Sequence, residues 1–166
     1  MNMIRRSLTV AVLALAFTAA SASADSIDGF GVYTDDWGNN HTIKQGGSVN
    51  SGNIVGVWQS VLWADGALAG SGCSYVDGAF GTNTKNATIF WQAGQFPSDP
   101  SEWDGIVGPT TWGRADNYLL FTIYGVLVYE GAQDAVAFSR NGSGIYTWSW
   151  NGAYRSTGHP TPSLGC

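Results

Sequence analysis

The side chains in this chain best suited to chemistry are aromatic rings set beside amides and carboxylates. Trp63 follows closely on Gln59, Tyr75 stands two residues before Asp77, and Trp103 immediately precedes Asp104. A ring face packs against the C–H groups of a sugar while a neighbouring amide or carboxylate takes the hydroxyls. Glycan binding is therefore the chemistry these neighbours point to, although exposed rings also occur singly without a ligand. Gln59 and Gln92 each follow a tryptophan. Their amides can tie down the backbone of a nearby turn or hydrogen-bond a ligand. Residues 145–150 alternate strictly, which sets Tyr146, Trp148 and Trp150 on one face of a strand. That face is either a buried interface or an open aromatic platform, and burial is favoured because monomers seldom expose so large an apolar patch.

Catalytic groups are sparse. His41 and His159 are the only histidines and neither belongs to a metal-ligand spacing. Glu102 and Glu130 are the only glutamates, and Gly70-Ser71-Gly72 falls short of a nucleophile elbow. The chain reads as non-catalytic, with no catalytic residue, metal site or cofactor. Cys73 and Cys166 are the only cysteines, and a single bridge between them is the economical reading for an exported protein, two free thiols being the alternative.

Export is expected from the first 24 residues. Arg5 and Arg6 precede an apolar run over residues 8–20, and Ala22-Ser23-Ala24 offers small residues for cleavage before Asp25. An uncleaved anchor is the rival, but the apolar run is short for a membrane span. The chain carries a net charge of −5 on 166 residues, and cleavage would remove two arginines and make it more acidic. An acidic chain without a basic cluster is a poor partner for nucleic acid or an anionic membrane. Charged residues are only 11% of the chain against eight tryptophans, a composition that supplies burial rather than disorder.

The middle of the chain is written twice. Val55-x-x-Trp58-Gln59 and Asp77-Gly78-Ala79-Phe80-Gly81-x-x-Thr84 are followed by Ala87-x-x-x-Trp91-Gln92 and Asp104-Gly105-Ile106-Val107-Gly108-x-x-Thr111-Trp112. The Trp-Gln pairs lie 33 residues apart and the Asp-Gly pairs 27 apart, so the first copy holds six extra residues. Asp77 and Asp104 can accept backbone N–H groups just beyond them, and Gly78 and Gly105 can take positive φ, so both pairs read as structural turns. This duplication resembles the peptidoglycan-binding-like domain family, small helical modules of cell-wall hydrolases and related secreted proteins. The resemblance covers residues 42–115. It implies a three-helix orthogonal bundle and peptidoglycan, through its glycan or its stem peptide, as the partner.

The elements that must position these residues follow from periodicity. Ile54, Val57, Trp58, Val61 and Leu62 form one helix face that Asp65-Gly66 closes. A second helix opens at Gly81-Thr82 and ends near Gly94, and a third opens at Gly108-Pro109. Residues 118–129 read as one long strand, 135–140 and 145–150 as shorter ones, and Asn151-Gly152 as a hairpin turn. The expected fold is α+β, a helical bundle followed by a small antiparallel β-meander packed against it. Its expected divisions are a signal peptide at 1–24, an irregular lead-in at 25–41, the helical module at 42–115, the meander at 116–159 and an extended tail at 160–166. The functional expectation is a secreted, cell-wall-associated, non-catalytic protein binding peptidoglycan. The alternatives are a scaffold that binds or inhibits a secreted enzyme and, third, a cell-wall hydrolase.

Overall fold

The computed structural model describes residues 27–29, 31–68, 75–150 and 153–156, with Trp150 and residues 153–156 described as backbone. The export segment, Cys73, Cys166 and the tail at 160–166 lie outside the described residues, as do the side chains of Trp150 and Tyr154.

The helices are α1 (Asn53–Ala64), α2 (Thr82–Gln95) and α3 (Pro109–Ala115). In α1 the apolar face is extended until nearly every residue is buried, Ser60 and Gln59 included. Gly66, at φ +71°, ends it. The Gly66 N–H bonds the Trp63 carbonyl and the Ala67 N–H bonds the Leu62 carbonyl, the paired bonds of a Schellman stop that only glycine adopts without strain. Helix α2 buries Thr84, Ala87, Thr88, Trp91 and Gln92, one stripe at helical spacing, and leaves the opposite side in solvent. Pro109 occupies the first position of α3, where its missing N–H costs nothing.

The second half is a five-stranded antiparallel meander in the order β1 (Leu119–Phe121), β2 (Leu127–Glu130), β3 (Ala135–Arg140), β4 (Tyr146–Trp150) and β5 (Ala153–Ser156). The fold is therefore α+β. The single long strand expected over 118–129 is instead a hairpin. Gly125, at φ +74°, lets the chain reverse, the Thr122 N–H bonds the Val126 carbonyl, and the Thr122 hydroxyl accepts the Val126 N–H. The register pairs Leu127 with Phe138, Tyr129 with Val136 and Phe138 with Trp148. All of these side chains are buried, so one sheet face is closed. Tyr146 and Trp148 are on that face at 0% exposure, which corrects the open-platform reading: these rings are core, not a ligand surface.

Helices and sheet are joined by aromatic edges. Trp58 meets Trp91 and Trp112 at 5.1 and 5.3 Å between ring centroids, and Trp37 meets Trp112, Phe138 and Tyr146 at 5.9, 5.2 and 6.1 Å. These contacts are mostly near-perpendicular, the arrangement the ring quadrupoles prefer. Trp37 comes from the lead-in, which is not an idle segment. It forms two short 3-10 turns, Tyr33–Asp35 and Trp37–Asn39, and before them Ile27 and Gly29 bond the backbone at Tyr146 and Gly144 beside β4. Asp36 is buried in this junction, accepting from the Gly31 N–H at 2.9 Å, the Tyr146 hydroxyl at 2.7 Å and the Arg140 guanidinium. Burial, then the bond to Asp36, holds the Tyr146 hydroxyl above the ordinary phenol range.

Asp116, just after α3, closes the same junction. Its Oδ2 accepts the Trp37 N–H at 2.8 Å, while its buried Oδ1 has no hydrogen-bond partner among the described residues. Burial pushes its pKa up to about 6, the Trp37 N–H opposing and Asp35 and Asp36 adding to the rise. A carboxyl raised above its unfolded value of 3.8 stabilises the fold fully below that pH and loses the contribution as pH rises through about 6. Asp116→Asn cannot ionise, so its stability relative to the native chain is expected to improve by roughly 2 kcal/mol between pH 4 and pH 7. Urea unfolding of both proteins at the two pH values measures the difference.

Candidate functional site

Each Asp-Gly turn is locked by a glutamine from the preceding helix. In the first copy Asp77 Oδ1 accepts the Ala79 N–H at 2.8 Å, and Gly78 sits at φ +73°. Gln59 reaches across from α1: its Oε1 accepts the Gly78 N–H at 2.7 Å, and its Nε2 donates to Asp77 Oδ1, the Ala79 carbonyl and Thr84 Oγ1 at 2.8, 3.0 and 3.0 Å. The second copy repeats this atom for atom. Asp104 Oδ1 accepts the Ile106 N–H at 2.7 Å, and Gly105 sits at φ +72° with its N–H on Gln92 Oε1 at 2.9 Å. Gln92 Nε2 donates to Asp104 Oδ1, the Ile106 carbonyl and Thr111 Oγ1 at 3.2, 2.9 and 3.1 Å. The six-residue insertion falls between glutamine and turn and leaves both networks alike.

This geometry removes two residues from the candidate ligand set. Gln59 is 1% exposed and Gln92 0%, and both ends of each amide are engaged inside the protein. A ligand reaching either would first have to break a turn. Trp103 is half-buried, its Nε1–H held by the Phe96 carbonyl at 2.9 Å at the end of α2. Trp63 is half-buried and packs on the rim of the core. Neither indole lines the depressions described next.

Tyr75 does. It lines both of two adjoining depressions of about 350 and 440 Å³, one beside α2 and the other between the Asp77 turn and the start of α2. The first is lined by Ala67, Leu68, Asn83, Asn86, Ala87 and Phe90, and the second by Asp77, Thr82 and Asn83 among others. Asn83, Asn86 and Phe90 are exposed and fall at i, i+3 and i+7, a stripe on the side of α2 away from its buried face. Phe90 is 68% exposed, unusual for so large a ring on a helix that also buries a tryptophan. None of these three was singled out from sequence as a ligand residue. The available signal was a polar–polar–aromatic stripe at helical spacing, beside a tyrosine in an inserted loop.

Among the described residues the trough is lined by the rings of Tyr75 and Phe90, the exposed amides of Asn83 and Asn86, the buried amide of Gln59, the hydroxyls of Thr82 and Thr84 and the Asp77 carboxylate, with no cationic side chain. Such a lining suits a neutral ligand with alternating C–H and hydroxyl or acetamido groups. Among the described residues no three His, Cys, Asp or Glu side chains are grouped to hold a metal ion, and no helix is long and apolar enough to cross a membrane.

Compared with family models, with curated proteins and with solved structures, the chain matches none.

Proposed function

We propose that the chain is a secreted, non-catalytic protein that binds cell-wall peptidoglycan through its helical segment, with glycan seated in the trough beside Tyr75. The observation that carries this reading is the trough itself: Tyr75, Phe90, Asn83 and Asn86 line one depression. The doubled Gln-Asp-Gly-Thr network supports the likeness to a peptidoglycan-binding-like module over residues 42–115, with α1, α2 and α3 as its three-helix orthogonal bundle. Within that reading the turns are structural and the aromatic–amide stripe of α2 makes the contact. A Cys73–Cys166 bridge would anchor the loop leading to Tyr75.

Co-sedimentation with purified sacculi tests it. The native chain is expected to pellet saturably, and Tyr75→Ala combined with Asn86→Ala to weaken binding at least about tenfold, a loss of 1.4 kcal/mol or more. Asn86 is exposed, so Asn86→Ala alone leaves the fold intact and serves as the second arm. Native protein left in the supernatant would overturn the proposal.

A further inference from the structure

Asn-Gly and Asp-Gly pairs are places where a chain can alter its own backbone. Glycine has no side chain to shield its amide nitrogen, which can close a five-membered ring on the preceding side chain. Five such pairs fall among the described residues, beginning at Asp28, Asp65, Asp77, Asp104 and Asn141. In four of them the fold takes the glycine N–H out of use. Gly29 donates to the Gly144 carbonyl at 3.0 Å and Gly66 to the Trp63 carbonyl at 2.9 Å. Gly78 and Gly105 donate to Gln59 Oε1 and Gln92 Oε1 at 2.7 and 2.9 Å. Gly142 differs. It is exposed, its N–H has no hydrogen-bond partner among the described residues, and nothing beyond its chain neighbours lies within 4 Å of where a Cβ would stand.

The side chain beside it is held as an electrophile. Asn141 is exposed in the turn that joins β3 to β4, and its Oδ1 accepts the Ser143 N–H at 2.9 Å and the Ile145 N–H at 3.0 Å. Two donors on one carbonyl oxygen polarise Cγ, and they are already in place for the negative oxygen that forms when Cγ is attacked. The main chain around them is fixed. The Asn141 N–H meets the Ile145 carbonyl and the Gly144 N–H meets the Asn141 carbonyl, each at 3.0 Å. Asn141 Nδ2 has no hydrogen-bond partner among the described residues, so no bond retains it as a leaving group. An open nucleophile, a polarised carbonyl and a free leaving group therefore meet in two consecutive residues.

We infer that Asn141 is a site of spontaneous modification, at which the folded chain converts its own Asn-Gly pair to aspartate and isoaspartate. Hydroxide takes the Gly142 amide proton and the nitrogen bonds Cγ. The Cγ–Nδ2 bond then breaks, and Nδ2 takes up a proton from water and leaves as ammonia. One water opens the succinimide, giving aspartate by attack at Cγ and isoaspartate by attack at the main-chain carbonyl carbon. The net exchange is one water for one ammonia, with no oxidant or reductant. Isoaspartate lengthens the main chain by one methylene and turns the Asn141 carbonyl, which accepts the Gly144 N–H, into a free carboxylate. Gly144 in turn accepts the Gly29 N–H, so the change falls on the bonds that seat the lead-in beside β4.

Chymotryptic peptide mapping of the chain aged at mildly alkaline pH tests it. Cleavage within β4 separates residue 141 from the Asn151-Gly152 pair, which lies outside the described residues. Among the five described pairs, conversion in the native chain is expected at Asn141 alone, read as split chromatographic peaks and loss of the amide. Unfolding in urea is expected to bring the four Asp-Gly pairs into reaction and to leave Asn141 no faster. Gly142→Ala places a methyl group in open space. Its unfolding transition should therefore stay unchanged while conversion slows at least about tenfold. An Asn141 that persists in the native chain but reacts in urea, or a Gly142→Ala chain that reacts as fast as the native one, would overturn the inference. Isomerisation of the Asp77 or Asp104 pair in the native chain at a matching rate would do the same.

Discussion

Gln59→Leu is expected to destabilise the protein by about 3 kcal/mol or more, although leucine nearly matches glutamine in size and is more apolar. The Gly78 N–H is buried and has Gln59 Oε1 as its acceptor. The Ala79 carbonyl and Thr84 hydroxyl keep only a longer contact with each other, at 3.3 Å. A buried donor stranded without a partner costs about 1–3 kcal/mol, and the loss of the remaining bonds adds to it. Gln92→Leu should cost a comparable amount, because the Gly105 N–H depends on Gln92 Oε1 in the same way. Gln59→Glu makes a sharper test. It sets an anionic oxygen against Asp77 Oδ1 and the Ala79 carbonyl, where the native amide donates. Its penalty is therefore greatest at neutral pH and shrinks as the pH falls and the new carboxyl gains its proton. Urea midpoints with an unchanged slope would report these losses. Leucine variants as stable as the native chain would show that the turns hold themselves.

The second large effect is expected at Asp65, the residue that ties helices to sheet. Its Oδ2 accepts both the Trp91 Nε1–H at 2.6 Å and the Tyr129 hydroxyl, and its Oδ1 accepts the Ala132 N–H at 2.8 Å. One carboxylate thus joins the end of α1, the middle of α2, strand β2 and the turn into β3. Burial, then the charge of Asp65 and the bond to it, raises the Tyr129 hydroxyl far above its ordinary range, so it stays a donor. Asp65→Ala leaves Trp91 and Tyr129 with buried donors unanswered and should cost about 3–5 kcal/mol. Asp65→Asn keeps one acceptor oxygen and should cost less, about 1–2 kcal/mol. The Ala64 carbonyl still accepts the N–H groups of Gln133 and Asp134, so the sheet stays attached by backbone while its side-chain tie is lost. The expected signature is a lower and broader thermal transition, with tryptophan fluorescence changing before far-ultraviolet dichroism.

Some of this structure is readable from residue types because the deciding forces are local. The α1 face, the Gly66 stop, the Pro109 start of α3 and the span of β3 each follow from periodicity or from one residue's conformational limits. Other features depend on what the chain meets after folding. A turn at Thr122–Val126 inside an uninterrupted apolar run is set by pairing between β1 and β2, and Gly125 alone is a faint signal of it. Trp37 looks like one more aromatic in an irregular lead-in, yet it is fully buried where α3 meets the sheet. The candidate site divides along the same line. Gln59 and Gln92 are conspicuous because they repeat, and they repeat because they hold turns. Asn83, Asn86 and Phe90 draw no notice, since an exposed helix stripe has no pattern until Tyr75 is placed beside it. Tyr75 is the one ring of the original set that lines the trough.

The most direct test of the account is a titration of the isotope-labelled chain with a soluble, uncrosslinked peptidoglycan fragment, followed by amide chemical shifts. Binding in the proposed mode predicts saturable shifts centred on Tyr75, Asn83, Asn86 and Phe90 and reaching the adjoining Asp77 turn, with the Asp104 turn moving little. Absence of shifts at saturating fragment, or shifts confined to the β1–β2 hairpin, would contradict it.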